Sequence, residues 1–361
     1  MNELYFVVIV VVLLLLVDST TNTTYHREAT TSQHTAITNN FNTKVTPFMT
    51  VKGTTIKSIP SIFVSGTQKG GSSSLYEFLI QHPLLCGGTL KDPHYFDFYY
   101  NKGRSHYESY YIDSKCQQQH HSSSSFIDGS TMLHSMDIIA PRIASFYTEE
   151  EKKLLKFIVL LREPVARDYS WYSHVIKRDL ADGIKFDIIK TFKEIDEASV
   201  LANSTTHRSG RYITQLSIFT KYFNRNQILI LNSQSLFTNS SVYMESIRKF
   251  LNLPKYKPWE GKFPKEEHIG YTTKVGLLEC ITKHIPALDC DFRDLLGRYY
   301  QPYNTNLYNW IQKTPNKSKE EPTFNSFGDD YTKINCVSNS RELFDKILKK
   351  DTSKSCTTIK T

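Results

Sequence analysis

The sequence predicts an α/β fold of three layers, a central parallel sheet flanked by helices. Three observations predict it. Continuous apolar runs of strand length recur at 61–66 (SIFVSG), 156–164 (KFIVLLREP) and 227–236 (QILILNSQSL). Each is followed by a segment with helical spacing of its apolar residues: SSLYEFLIQHP, VARDYSWYSHVIKRDL and SVYMESIRKFLNL. Uninterrupted apolar strands belong to a sheet buried on both faces, and their alternation with helices belongs to parallel crossovers. The third observation is the turn between the first strand and the first helix, GTQKGGSSS, which has the make-up of a phosphate loop.

Taken in order, residues 4–17 (LYFVVIVVVLLLLV) are unbroken apolar sequence. That is short of the roughly 20 residues of an ordinary membrane span, and it fits a signal-peptide core or a short signal-anchor. Residues 18–57 are rich in Thr, Ser and Asn with hardly any apolar periodicity, which reads as a solvated stem. The strand and helix pattern starts near residue 58 and is lost after Lys313, so a single catalytic domain is drawn over 58–313. Residues 314–361 read as a surface extension ending in a short helix, RELFDKILKK, and QQQHHSSSS (117–125) reads as a flexible loop.

N-x-S/T sequons at Asn22, Asn203, Asn239 and Asn316 agree with entry into the secretory pathway, where they become glycosylation candidates. The six cysteines (Cys86, Cys116, Cys280, Cys290, Cys336, Cys356) then favour disulfides. Cys280 and Cys290, which enclose nine residues, are the expected pair, with Cys336–Cys356 second. No C-x-x-C or H-E-x-x-H spacing is present, so no metal is expected. The formal charge of +8 suits an anionic ligand, but no long basic face or recognition motif supports nucleic-acid binding.

The phosphate loop of nucleotide triphosphatases, G-x-x-x-x-G-K-S/T, has its lysine directly after the second glycine. Here Gly66 and Gly71 keep that separation, but Ser72 follows Gly71 and the lysine of the turn is Lys69, three residues before Ser72. The turn is P-loop-like without the ATP signature, which argues against a kinase.

GTQKGGSSS, KDPHYFD (91–97) and LLREPVARDYSWY, in this order, resemble the membrane-bound carbohydrate sulfotransferases, especially the heparan sulfate N- and O-sulfotransferase branch and its relative that sulfates chondroitin. The resemblance continues through SGRYITQLSIFTKYFNRNQILILNSQSL (209–236) and RDLLGRYYQPYNTNLYNWI (293–311). It implies a Golgi membrane or lumenal enzyme, secreted if the N-terminal segment is cleaved, that uses 3′-phosphoadenosine 5′-phosphosulfate (PAPS) and an anionic glycan acceptor. By resemblance, Lys69, Gly70, Gly71, Ser72 and Ser73 hold the 5′-phosphosulfate, with Lys69 near the oxygen bridging phosphorus and sulfur. Arg162 and Ser170 grip the 3′-phosphate, and Arg167 is read as structural. Asp92 or His94 takes the acceptor proton, and Asp97 matches a further aspartate of the branch. Gly210 and Tyr212 resemble positions lining the cofactor cleft, with core packing an equal account of Tyr212.

Three departures accompany the resemblance. The branch usually has glutamate at the position of Asp92. Gly129 stands where the O-sulfotransferases often carry a lysine, which leans toward the chondroitin-type relative. The K-G-R loop expected after the second cysteine of the pair is not recognisable after Cys290. Two other readings therefore stay open: a sulfotransferase for protein tyrosine or a small hydroxylated molecule, and a glycan-binding protein on a decayed sulfotransferase fold.

Overall fold

The three apolar runs become three adjacent parallel strands at the middle and one side of a five-stranded sheet. A computed structural model describes residues 50–51, 54–55, 59–112, 124–181, 190–195, 205–260, 285–315, 317–327, 332 and 334–350. A small antiparallel hairpin, β1 (Thr50–Val51) with β2 (Thr54–Thr55), precedes the sheet. The sheet itself consists of β3 (Pro60–Gly66), β4 (Leu85–Gly87), β5 (Ser125–Asp128), β6 (Lys156–Leu161) and β7 (Ile228–Asn232). Its order is β4-β5-β3-β6-β7, with every neighbouring pair parallel. Register runs unbroken from Ile62 opposite Lys156 to Gly66 opposite Leu160, and from Phe157 opposite Ile228 to Leu161 opposite Asn232.

Every residue of β3 and β7, and all of β6 after Lys156, is buried. Helices cover both faces, so these strands carry no solvated side and hence no alternation. The described helices are α1 (Ser72–Leu79), α2 (Arg104–Ile112), α3 (Met136–Phe146), α4 (Glu149–Lys152), α5 (Pro164–Ala181), α6 (Thr205–Arg208), α7 (Tyr212–Phe219), α8 (Ser233–Thr238), α9 (Ser240–Phe250), α10 (Cys290–Lys313) and α11 (Ser340–Lys350). One π-helical turn spans Tyr95–Tyr99. The main core follows the sheet, and a second apolar cluster, including Val165, Tyr172, Phe192, Phe292, Tyr300 and Phe344, joins α5 to α10 and α11.

Arg167 is a buried structural residue: its side chain is 1% exposed and pairs with the fully buried Asp168 at 2.5 Å. Asp168 in turn meets His207 Nδ1 at 3.0 Å and accepts from the Tyr300 hydroxyl, which ties α5, α6 and α10 together. A buried charge persists only when paired and hydrogen-bonded in this way.

The structure corrects three expectations. Cys290 is bonded to Cys336, not to Cys280, which also removes Cys336–Cys356. Spacing along the chain misleads here because residues 288–290 bridge Val337: Cys290 N donates to Val337 O at 3.1 Å, and Val337 N to Leu288 O at 2.8 Å. Residues 317–327, read as surface extension, pack onto the sheet. Glu321 accepts from Arg225 Nη2 at 2.6 and 2.8 Å and from Ile230 N at 3.0 Å, and Phe327 is buried. Finally, Ser125 at the end of the expected flexible loop opens strand β5.

Residues 1–17, the stem up to residue 49, the loop at 113–123, and the sequons at Asn22, Asn203 and Asn316 lie outside the described residues; Asn239 is exposed between α8 and α9. Among the described residues no helix is long and apolar enough to cross a membrane.

Candidate functional site

Parallel strands put all their carboxyl ends on one edge of the sheet, and ligands of such sheets bind there. The loops after β3, β4, β5, β6 and β7 meet at that edge.

After β3, Thr67 N donates to Leu160 O at 3.1 Å and Gly70 N to Thr67 O at 3.0 Å, closing a tight turn. Gly70 therefore spends its N–H inside the turn and does not present it to a ligand, contrary to the expectation that its amide would hold phosphate. Gly71 precedes α1 with φ 94°, and a Cβ there would lie 2.7 Å from the Phe237 ring, so both conformation and space require glycine. The first-turn N–H groups of α1, on Ser72 and Ser73, have no partner within the helix, which makes this end an anion seat. Two contacts from other loops hold the turn in place. Ser233 Oγ, after β7, donates to Gly70 O at 2.5 Å, and Arg162 Nη1, after β6, donates to Lys69 O at 3.0 Å. Tyr212 is buried and its hydroxyl donates to Arg162 O at 2.8 Å, so it packs in the core and positions Arg162 from behind.

The electrostatics of this corner are one-sided. Burial first, then the charges of Arg162 and Lys177, push the Lys69 ammonium below the usual lysine pKa. On α5, Ser170, His174 and Lys177 share one face by the i, i+4, i+7 relation. Burial, then the charges of Lys69, Arg178 and Lys177, pushes His174 down to about 4 and leaves it neutral at pH 7. Lys177 and His174 escaped the sequence reading, although their spacing from Ser170 was a usable signal. Glu163 is directed away into the helix end, where it accepts from Val165 N at 3.1 Å and Ala166 N at 2.6 Å.

The second half of the site follows β4. Pro93 confines Asp92 to extended backbone, and His94 then turns into the left-handed region at φ 48°. Ser130, after β5, supports this turn by accepting from His94 N at 3.1 Å, and Ser130 N donates to the buried Asp128 carboxylate at 2.7 Å. His94 Nδ1 lies 2.8 Å from Asp97 Oδ2, which leaves Nε2 for another partner. Burial opposes charging this imidazole, but the Asp97 hydrogen bond and charge, with Asp92 and Asp128 beyond, outweigh it and raise its pKa. His134 Nε2 stands 3.8 Å from the same Asp97 oxygen. Asp92 Oδ1 is 2.6 Å from Lys91 Nζ, which also donates to Gly129 O at 3.1 Å. A Cβ at Gly129 would lie 2.8 Å from the Tyr76 ring, so no side chain fits at 129, and the cation beside it comes from Lys91.

Among the described residues, four that are not glycine have left-handed backbone: Lys69, His94, Asn252 and Asn339. Asparagine tolerates that region, whereas lysine and histidine are strained there by about 1–2 kcal/mol. Both strained residues belong to the set Lys69, Asp92 and His94 to which the resemblance gives catalytic roles.

The sequence profile described as "Sulfotransferase domain" matches residues 60–263. The chain is 24% identical over 286 residues to the bifunctional heparan sulfate N-deacetylase/N-sulfotransferase 1 of Xenopus laevis, covering 75% of this chain and 32% of that protein. It is 25% identical over 279 residues to the human bifunctional heparan sulfate N-deacetylase/N-sulfotransferase 3, covering 73% of this chain and 31% of that protein. The chain thus spans about a third of the length of these curated relatives. Among solved structures, a sulfotransferase from Alicyclobacillus acidocaldarius aligns with 18% identity and a TM-score of 0.47, covering 70% of this chain and 96% of that one.

Proposed function

Since the chain belongs to the sulfotransferase family, we propose that it transfers a sulfuryl group from PAPS to an amine or hydroxyl of a glycosaminoglycan of the heparan sulfate class. The observation that carries this reading is the corner at the carboxyl edge. A strained, half-buried lysine stands there beside Arg162 and Lys177, next to the open N-terminus of α1. Such a cluster of like charges is relieved by an anion with more than one negative group.

The donor set fits PAPS. The N–H groups of Ser72 and Ser73 suit a phosphate, and the Arg162 guanidinium with Ser170 suits a second one. PAPS supplies the sulfuryl group and a phosphate leaving group. In the transfer, the acceptor atom bonds to sulfur while the bond from sulfur to the bridging oxygen breaks, and the acceptor proton passes to a base. Lys69 stabilises the charge that develops on the leaving oxygen.

His94 is the better placed base. Asp97 fixes its tautomer and makes the imidazole more basic, whereas the Asp92 carboxylate is held against the Lys91 ammonium. Asp92 and Lys91 then orient the acceptor. The names of the relatives in two vertebrates support a heparan-type acceptor. Lumenal residence in the Golgi, with residues 1–17 as anchor or signal, agrees with disulfide-bonded Cys86, Cys290 and Cys336.

The test is transfer of label from radiolabelled PAPS by the full chain to heparan sulfate, N-desulfated heparan sulfate, chondroitin, a tyrosine peptide and a small alcohol, with Lys69→Ala alongside. Label in the heparan polymers that the variant fails to transfer supports the proposal. Label only in the peptide or alcohol overturns the acceptor class, and failure to bind PAPS overturns the reaction.

A further inference from the structure

The carboxyl edge does not use the lysines at the opposite end of the sheet. Lys156 is the first residue of β6, and Arg162 follows the last; six residues at roughly 3.3 Å each separate them by about 20 Å. Around Lys156 lies an open recess of about 450 Å³ lined by Asn226, Lys249, Phe250, Lys317, Lys319 and Glu320, together with Ser318. Four lysines face one glutamate. Lys249 leans on Glu245 at 3.7 Å, but Lys156, Lys317 and Lys319 form no ion pair with a described residue.

Lys156 is half-buried, and its ammonium lies 4.7 Å from the Phe250 ring centre. Burial alone pushes its pKa down, so the ammonium sits where water solvates it poorly and no carboxylate compensates. The turn carrying Lys317 and Lys319 is held rigidly on the sheet by the next residues. Glu321 is locked by Arg225 and Ile230 N, and Glu321 N donates to Ser318 O at 3.1 Å. Lysines carried on a fixed turn, a strand and a helix around a recess of saccharide size, with the Asn226 amide beside them, match a ring carrying sulfate and hydroxyl groups.

We propose that this recess is a second anion site, which holds a sulfated saccharide of the glycan chain at a distance from the reaction centre. The choice of ligand rests on the glycan-acceptor reading; the site itself does not. Its occupation anchors a long acceptor and leaves a short one unaffected.

The test uses the full chain with Lys156→Ala, Lys317→Ala and Lys319→Ala combined, and titration with heparin as the sulfated probe. The expected result is at least tenfold weaker binding, with a salt slope smaller by about two to three, one for each lost contact. The matching triple Lys→Arg variant retains binding, which separates charge loss from misfolding. A control with Lys102→Ala, Lys221→Ala and Lys257→Ala has little effect. Adenosine 3′,5′-bisphosphate at saturation does not displace the probe from the recess. Wild-type affinity and slope in the triple alanine variant, an equal loss in the control, or a loss confined to binding of phosphatidylserine vesicles overturns the proposal. Because the readout is binding, absence of sulfotransfer would refute the catalytic reading and leave this result standing.

Discussion

Lys69 and His94 combine backbone strain with chemistry, and that combination makes opposite predictions for stability and activity. Glycine at 69 removes the left-handed penalty but gives back chain entropy, so Lys69→Gly is expected to leave stability unchanged or raise it by about 1 kcal/mol. The same variant loses the cation proposed to stabilise the leaving group, and turnover is expected to fall roughly 10²–10³-fold. Thermal melting and steady-state transfer read the two separately; parallel loss of both would show that Lys69 is a folding residue. In the proposed reaction the neutral His94 imidazole accepts the proton, so the rate is expected to fall as pH drops through its pKa. With Asp97 in place that acid limb lies above the ordinary 6.5. Asp97→Asn removes the largest of the influences that raise the pKa, leaving burial opposed only by the charges of Asp92 and Asp128, so the limb is expected to move to lower pH while the maximal rate drops. An acid limb in the carboxylate range, indifferent to Asp97, would instead identify Asp92 as the base.

Helix α5 has work at both ends of its first four turns. Pro164 stands at its first position, where a missing N–H costs nothing. Glu163 satisfies the next two N–H groups, and burial pushes its carboxyl up to about 7. The helix then offers Ser170, His174 and Lys177 to the cation corner from one face and buries Asp168 and Tyr172 on the other. Losing the cap leaves two helix-end donors unsatisfied. Glu163→Ala is therefore expected to lower stability by about 1 kcal/mol in denaturant titration. It should also weaken binding of adenosine 3′,5′-bisphosphate through Arg162, its neighbour. Unaltered stability would mean that water replaces the carboxylate without penalty.

At the scale of the molecule, the Cys290–Cys336 bond closes 46 residues and fastens the start of α10 to the segment before α11. Cross-linking a loop of that length restricts the unfolded chain by about 4 kcal/mol in the chain-entropy treatment. Cys336→Ser is expected to lower the melting temperature by several degrees, because the second apolar cluster, with Phe292 and Phe344, loses its clasp. Peptide mapping without reduction should recover the peptides containing Cys290 and Cys336 as one species. Recovery of a Cys280–Cys290 peptide would contradict the fold around α10.

Much of this architecture is legible in the sequence because it depends on local composition. Short apolar runs, three residues in β3, four in β7 and five in β6, bounded by small or polar residues and followed by helical spacing, read as strands of a doubly covered sheet, so all three stand out, as do α5 and α9. A glycine-rich turn before a helix likewise marks a place suited to an anion. The strands β4 and β5, of three and four residues, are too short to show a period, and they emerge only once neighbours supply hydrogen bonds. Tertiary structure alone decided the contacts between residues far apart in the chain. Ser233 steadies Gly70 across 163 positions, Lys91 fills the place that Gly129 leaves, Glu321 returns to Arg225, and Cys336 takes Cys290. The reason is physical: composition determines which segments must leave water, whereas partners within the core are chosen by where the parallel sheet happens to bring their ends.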